Sequence, residues 1–352
     1  MIVSVIIPVY KVEKYIRRCV QSVIDQNCDG FSIECIFVDD ATPDKSMDIV
    51  REMIENYQGN TVSFVVLCHD VNKGISAARN TGTKAATGDY VFYLDSDDHI
   101  LENTLKRFVA FAIDYSTVDV IIGNSLCMGI NFLTNTKVTN NENSPMLLND
   151  KQQMWELLLT RKLDHHAWNK LVKRSLVIDN NLMFDDGMIY EDISWTYRLV
   201  FCVSSILIVP ELTYMYEYNP ASIIHTTPMK ADLVINSFAF ICSYLLSNPP
   251  LPDPKGHLFA DHFIFVCHWM IIVTDLEIQY GAEKEAKSKL RHVRMELFSN
   301  AVRHFRISLL FYSLTLFSPM KYLLKYRIYR ANLNRLEIVF YRISKLGDIL
   351  RF

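Results

Sequence analysis

Residues 90–100 read "YVFYLDSDDHI". The apolar run from Tyr90 to Leu94 has the composition of a buried strand, and it stops at three carboxylates within four residues, Asp95, Asp97 and Asp98. At an effective dielectric of about 20, two unit charges roughly 5 Å apart repel by about 3 kcal/mol. Such a turn either points its acids into open water or holds a positive partner. The sequence on either side of it separates the two readings.

Upstream, strand-like and helix-like patterns alternate. Residues 2–9, 33–40 and 61–69 are β-branched and apolar, and each reads as a strand. Between them, residues 13–26, 44–57 and 74–86 read as helices; in the first of these Tyr15, Ile16, Cys19, Val20, Val23 and Ile24 fall on one face. This order predicts βαβ units and an α/β architecture with a largely parallel sheet. Ligands of such sheets bind beyond the carboxyl ends of the strands. Three of the four strands end in candidate binding groups: Pro8-Val9-Tyr10, Asp39-Asp40, and the acidic turn from Asp95. Three such endings on one sheet edge read as one site.

The totals narrow the class. The chain has 352 residues, half of them hydrophobic, with a formal net charge of −3, which gives no basic face for nucleic acid. Its eight cysteines form no CxxC pair and no zinc-spaced run, as expected of reduced thiols in a cytoplasmic protein. The opening "MIVSVIIPVY" lacks a basic n-region and cleavage site, and no stretch offers the ~20 uninterrupted apolar residues of a spanning helix. Neither GxGxxG nor GxxxxGK[ST] occurs, so a dinucleotide oxidoreductase or P-loop enzyme lacks its phosphate contacts. A D-x-D unit at a strand end instead suits Mg2+ or Mn2+, which prefer oxygen ligands and bridge to a diphosphate.

Four blocks then carry a resemblance: "VSVIIPVYKVEKYIRRCVQSVIDQ", "FVDDATPDKS", "NKGISAARNTGTKAATGDYVFYLDSDD", and "AWNKLVKRSLVIDNNLMF" followed by "GMIYED". Together, and in this order over about the first two thirds of the chain, they resemble the family-2 glycosyltransferases of the GT-A fold. The resemblance implies a Rossmann-like mixed, mostly parallel sheet flanked by helices, and an inverting hexosyltransferase that uses a nucleotide-sugar, often a UDP-sugar, in bacterial surface polysaccharide synthesis. It places Pro8, Tyr10, Glu13, Asp40, Arg79, Asn80, Asp95 and Asp97 at the nucleotide-sugar, with Asp40 on the uracil. Asp97 and Asp98 fall to the ribose and the divalent metal without a division between them, and His225 to the metal or the diphosphate, a surface or hydrogen-bonded His being equally compatible. Glu191-Asp192 matches the catalytic base, Asp192 being the base itself. Acids at a helix start are also what the positive end of a helix favours, and both roles are compatible. Trp168 and Lys170 match a block that supports the acceptor side, although packing explains Trp168 equally. Two departures touch the donor loops: Lys11 stands where the family usually has Asn, and Ala41-Thr42-Pro43 replaces the commoner Gly-Ser.

The implied organisation is a catalytic domain over 1–225, with a donor half at 1–125 and an acceptor and base half at 126–225, then a helical region over 226–352. The tail from Arg303 mixes aromatics with Lys and Arg at helical spacing, which predicts a membrane-surface contact; a packed helical subdomain or a homo-oligomer contact gives the same pattern. A glycan or lipid-linked acceptor is expected. A catalytically silent nucleotide-sugar-binding relative is the alternative, and an intact D-x-D with Glu191-Asp192 argues against it. The adjacent His165 and His166 have no third ligand at metal spacing and are not expected to bind zinc.

Overall fold

The computed structural model describes residues 1–128, 135–136, 144–220, 222, 231–250, 257–280 and 283–303. The chain divides into two compact units, Met1–Met229 and Lys230–Phe352.

The first unit opens with the expected alternation: β1 (Ile2–Val9), α1 (Ile16–Ile24), β2 (Ser32–Asp39), α2 (Ser46–Asn56), β3 (Val62–Cys68), α3 (Ile75–Ala85) and β4 (Tyr90–Tyr93). Strands β3, β2, β1 and β4 lie side by side and all run parallel. In β1 every residue after Ile2 is buried, because helices cover both faces of a central parallel strand; edge strand β3 is buried only at Val62 and otherwise half-buried or exposed. Helix α1 buries Ile16, Cys19, Val20 and Val23, and α2 buries Met47, Val50 and Met53, each at i, i+3, i+4 or i+7 spacing. Helix α3 lies so near the sheet that a Cβ on Gly82 would come within 2.4 Å of Ile6 Cγ2. That close approach sets Arg79, one turn earlier on α3, at the sheet's carboxyl edge.

The rest of the unit comprises β5 (His99–Ile100), α4 (Thr104–Asp114), β6 (Val120–Met128), β7 (Asn135–Thr136), β8 (Met146–Leu148), α5 (Lys151–Leu159), β9 (Lys170–Lys173), α6 (Arg174–Asp179), α7 (Glu191–Cys202) and β10 (Ile206–Glu217). The sheet order is β3-β2-β1-β4-β9-β6-β10-β5, with β7 beside β6 and β8 beside β10. Strand β9 enters antiparallel between β4 and β6, and β10 resumes the parallel direction beside β6. The sheet is thus mixed, with its longest ladders parallel and helices on its faces, as the sequence implies. Strand β10 returns to the acidic turn, pairing antiparallel with β5 directly behind it.

The second unit is helical: α8 (Ala231–Ser247), α9 (His257–Tyr280) and α10 (Lys284–Arg303). Phe238 of α8 stacks on Trp269 of α9 at 5.7 Å, and Arg294 of α10 pairs with Glu277 of α9. No helix among the described residues is long and apolar enough to cross a membrane. His225 and residues 304–352, on which one metal ligand and the membrane-surface expectation rest, lie outside the described residues.

Candidate active site

The site gathers at the carboxyl ends of β1, β2 and β4. Asp40, just after β2, accepts hydrogen bonds from the backbone N–H groups of Lys73 and Gly74, each at 2.8 Å, and faces His69 Nδ1 at 2.7 Å. It therefore fixes the loop that starts α3, where Gly74 has φ 88. Pro8 is buried in β1 opposite Val38. Tyr10 is exposed, with the Lys11 ammonium 5.1 Å from its ring centre. Glu13 accepts from the Lys45 N–H at 3.2 Å. Lys11 and Ala41, the two departures from the family pattern, both adopt left-handed backbone, φ 55 and φ 54. Asn and Gly are the residues that reach this region most easily. The loop shape is thus held here by less suited residues, with Thr42 Oγ1 accepting from the Lys11 N–H and donating to Asp44.

The acidic turn divides its three carboxylates among different tasks. Asp98 is buried and accepts from the Tyr214 hydroxyl at 2.7 Å and the Glu217 N–H at 2.8 Å, which ties the turn to β10. Asp97 accepts from Asn219 Nδ2 at 2.9 Å. Asp95 takes Arg79 at 2.6 Å. Burial, with Asp95 adding repulsion, pushes Asp97 up to about 6. Burial likewise drives Asp98 well above the usual carboxylate range, with Asp97 and Asp95 reinforcing it.

Arg79 is the link to the second acid pair. Its guanidinium is nearly inaccessible, sits over the Phe184 ring at 5.2 Å, and bridges Asp95 to Glu191. Arg79, expected at the nucleotide-sugar, is a buried strut between the acidic turn and the acid pair of α7. Asn80, also expected at the nucleotide-sugar, clips the chain leading into α7: its Nδ2 donates to the Phe184 carbonyl (2.9 Å) and Asp186 (3.0 Å), and its Oδ1 accepts from the Phe184 N–H (2.8 Å).

Glu191 and Asp192 open α7 behind Tyr190, whose left-handed φ of 60 turns the chain into the helix. Burial raises both carboxyls, opposed by Arg79 at Glu191 and foremost by His166 at Asp192. Glu191 is committed to Arg79, whereas Asp192 sits partly exposed among His165 and His166, with one ligand atom from each of the three within 4.8 Å of the others. A third group of ligand type thus stands beside the histidine pair, on α7, where local spacing does not reveal it. Around them, Asp164 faces His166 Nδ1 at 2.6 Å, Lys170 is buried and donates to the His166 carbonyl, and Trp168 stacks between His166 (4.5 Å) and Tyr214 (4.4 Å). Burial lowers His165 to about 3, and the Asp164 carboxylate raises His166. Sequence reasoning missed Tyr214, Asn219 and Asp164; none carries a local motif.

A parallel βαβ half ending in D-x-D, joined through a buried arginine to an acid pair at a helix start, has the layout of a GT-A sugar transferase. The comparisons agree. Residues 4–178 match the model of Glycosyl transferase family 2. EpsH of Bacillus subtilis (strain 168) is 30% identical over 297 residues, 83% of this chain and 81% of that one. The chain belongs to glycosyltransferase family 2 and is a glycosyltransferase. YibD of Escherichia coli K12, named as an uncharacterized glycosyltransferase, is 29% identical over 222 residues, and the match spans 62% of each chain. Among solved structures, S. aureus TarS 1–349 in complex with UDP-GlcNAc shares the fold at a TM-score of 0.70 and 18% identity, over 90% of this chain and 88% of that one.

Proposed function

We propose that this protein is an inverting glycosyltransferase that moves a sugar from a UDP-sugar to a hydroxyl of a glycan or lipid-linked acceptor in surface polysaccharide synthesis. The observation that carries this reading is the Arg79 bridge. It engages Glu191 and Asp95 together and so joins the acidic turn to the acid pair of α7, where Asp192 remains partly exposed. The UDP-GlcNAc bound by TarS supports the choice of donor.

In this reading Asp192 accepts the proton of the attacking acceptor hydroxyl, and the oxygen reaches the anomeric carbon opposite the diphosphate, which inverts it. Arg79 holds Glu191 in place, so the neighbouring carboxylate is held at the start of α7. Tyr10, Glu13 and Asp40 line the nucleotide side. The acidic turn fits a hard divalent cation: Asp95, Asp97 and Asp98 are oxygen donors, burial disfavours the charge of Asp97 and Asp98, and Arg79 is the one guanidinium bonded there among the described residues. Asp97 would hold a Mn2+ or Mg2+ ion, with Asp98 beside it and His225 as a further candidate. Bound there, such an ion supplies positive charge to the departing diphosphate.

The test is a panel of UDP-, GDP- and dTDP-sugars read by mass spectrometry of released nucleotide, with Asp192→Asn in parallel. The reading expects release from a UDP-sugar by the native protein and none by Asp192→Asn. Normal transfer by Asp192→Asn would remove the base assignment.

A further inference from the structure

We propose that His165, His166 and Asp192 form a second metal site, distinct from the acidic turn after β4, that takes a zinc-class ion and silences the base. The binding half stands on geometry alone; the silencing half rests on Asp192 being the base.

The donor set differs in kind from that of the turn. Two imidazole nitrogens and one carboxylate oxygen suit zinc and similar borderline ions, whereas an all-oxygen set suits magnesium or manganese. Around a tetrahedral ion with bonds of about 2.1 Å, ligand atoms stand roughly 3.4 Å apart. The three ligand atoms already lie within 4.8 Å of one another, so small side-chain rotations close the shell.

The ligands are also held in place by neighbours that bind nothing themselves. Asp164 lies 2.6 Å from His166 Nδ1 as an ion pair without hydrogen-bond alignment, so an ion at Nε2 would have a carboxylate close behind the ring. The His166 ring lies flat on Trp168, at 4.5 Å and 10°. The His165 carbonyl accepts from Thr196 Oγ1 at 2.6 Å, one turn beyond Asp192 on α7, so the histidine segment is tied to the helix that carries the third ligand. The buried Lys170 ammonium is the opposing charge, and the carboxylates of Asp164 and Asp192 both act on it. Three protein ligands leave a fourth position open. An ion seated there takes the Asp192 lone pair that the acceptor hydroxyl needs.

The test uses the full chain stripped of metal and dialysed against Zn2+, with zinc counted by mass spectrometry and site symmetry read from the visible absorption of Co2+ in its place. Expected are one zinc per chain retained in Asp97→Asn and lost in His165→Gln, and a roughly 10–100-fold weaker zinc affinity in Asp164→Asn, which keeps every ligand. Zinc should also reduce transfer by the native protein with Mn2+ present, and reduce it far less in His165→Gln. Equal zinc content in the native protein and His165→Gln would overturn the site, as would a Co2+ spectrum of octahedral or thiolate type in the native protein. Zinc bound at these residues without loss of transfer would overturn the silencing half and leave donor binding untouched.

Discussion

The two acid clusters of the first unit follow one plan with different means. In the turn after β4, Asp98 is locked by a phenol and a backbone N–H, and Asp97 is presented. At the start of α7, Glu191 is locked by a guanidinium, and Asp192 is presented. In each, one carboxylate is given to the architecture so that its neighbour can be held still. The difference lies in charge. The turn ties Asp98 and Asp97 by neutral hydrogen bonds and gives only Asp95 to Arg79, which leaves carboxylate oxygens for a cation. The helix start receives half of a buried Arg79 and needs no ion to stand. A single arginine touching both clusters makes them one unit.

The largest expected effect separates the two members of the helix pair. Asp192→Asn should lower turnover by roughly 10^3–10^4 with unfolding midpoint and UDP affinity unchanged, measured by kinetics, urea titration and calorimetry. Next, Arg79→Met strands two buried carboxylates and should cost about 3–5 kcal/mol in urea unfolding. Adding Glu191→Gln should recover part of that loss, and a double-mutant cycle reads the coupling directly. Strictly additive losses would mean the bridge does not join the clusters. Asp98→Ala leaves the Tyr214 hydroxyl and Glu217 N–H without their acceptor and should cost about 1–3 kcal/mol, seen as a lower urea midpoint. Smallest, Ala41→Gly relieves a left-handed residue and should gain up to about 1 kcal/mol in thermal unfolding, with no change in turnover.

Much of this plan is visible in the residues themselves, and the boundary of legibility is physical. The parallel half announces itself because each strand and helix is set by local periodicity: β1 is apolar but for Ser4 since both its faces are covered, and α1 repeats its buried residues every turn. The D-x-D is contiguous, so its charge crowding is evident from the chain alone. What each acid does is not. Asp98 meets Tyr214 across 116 positions, and Arg79 meets Glu191 across 112. No pattern within a helix or strand encodes such pairings. For the same reason the strut and clip roles of Arg79 and Asn80, formed with residues more than a hundred positions away, have no local signal. Strand β9 is four residues long and enters through Asn169 at φ 58, a tertiary requirement without a periodic signature. The family pattern explains Lys11 and Ala41 better than composition does, since only the structure gives both left-handed backbones.

The central claim is that the presented acid of the turn, rather than that of the helix, holds the cation that comes with the nucleotide. Thermal unfolding with UDP, with and without Mn2+, tests it in the native protein, Asp97→Asn and Asp192→Asn. Ligand at a hundred times its dissociation constant stabilises by about 2.7 kcal/mol. The account predicts that Mn2+ enlarges the UDP-induced shift in the native protein and Asp192→Asn, and that this enlargement vanishes in Asp97→Asn. A full manganese-dependent shift in Asp97→Asn would contradict it.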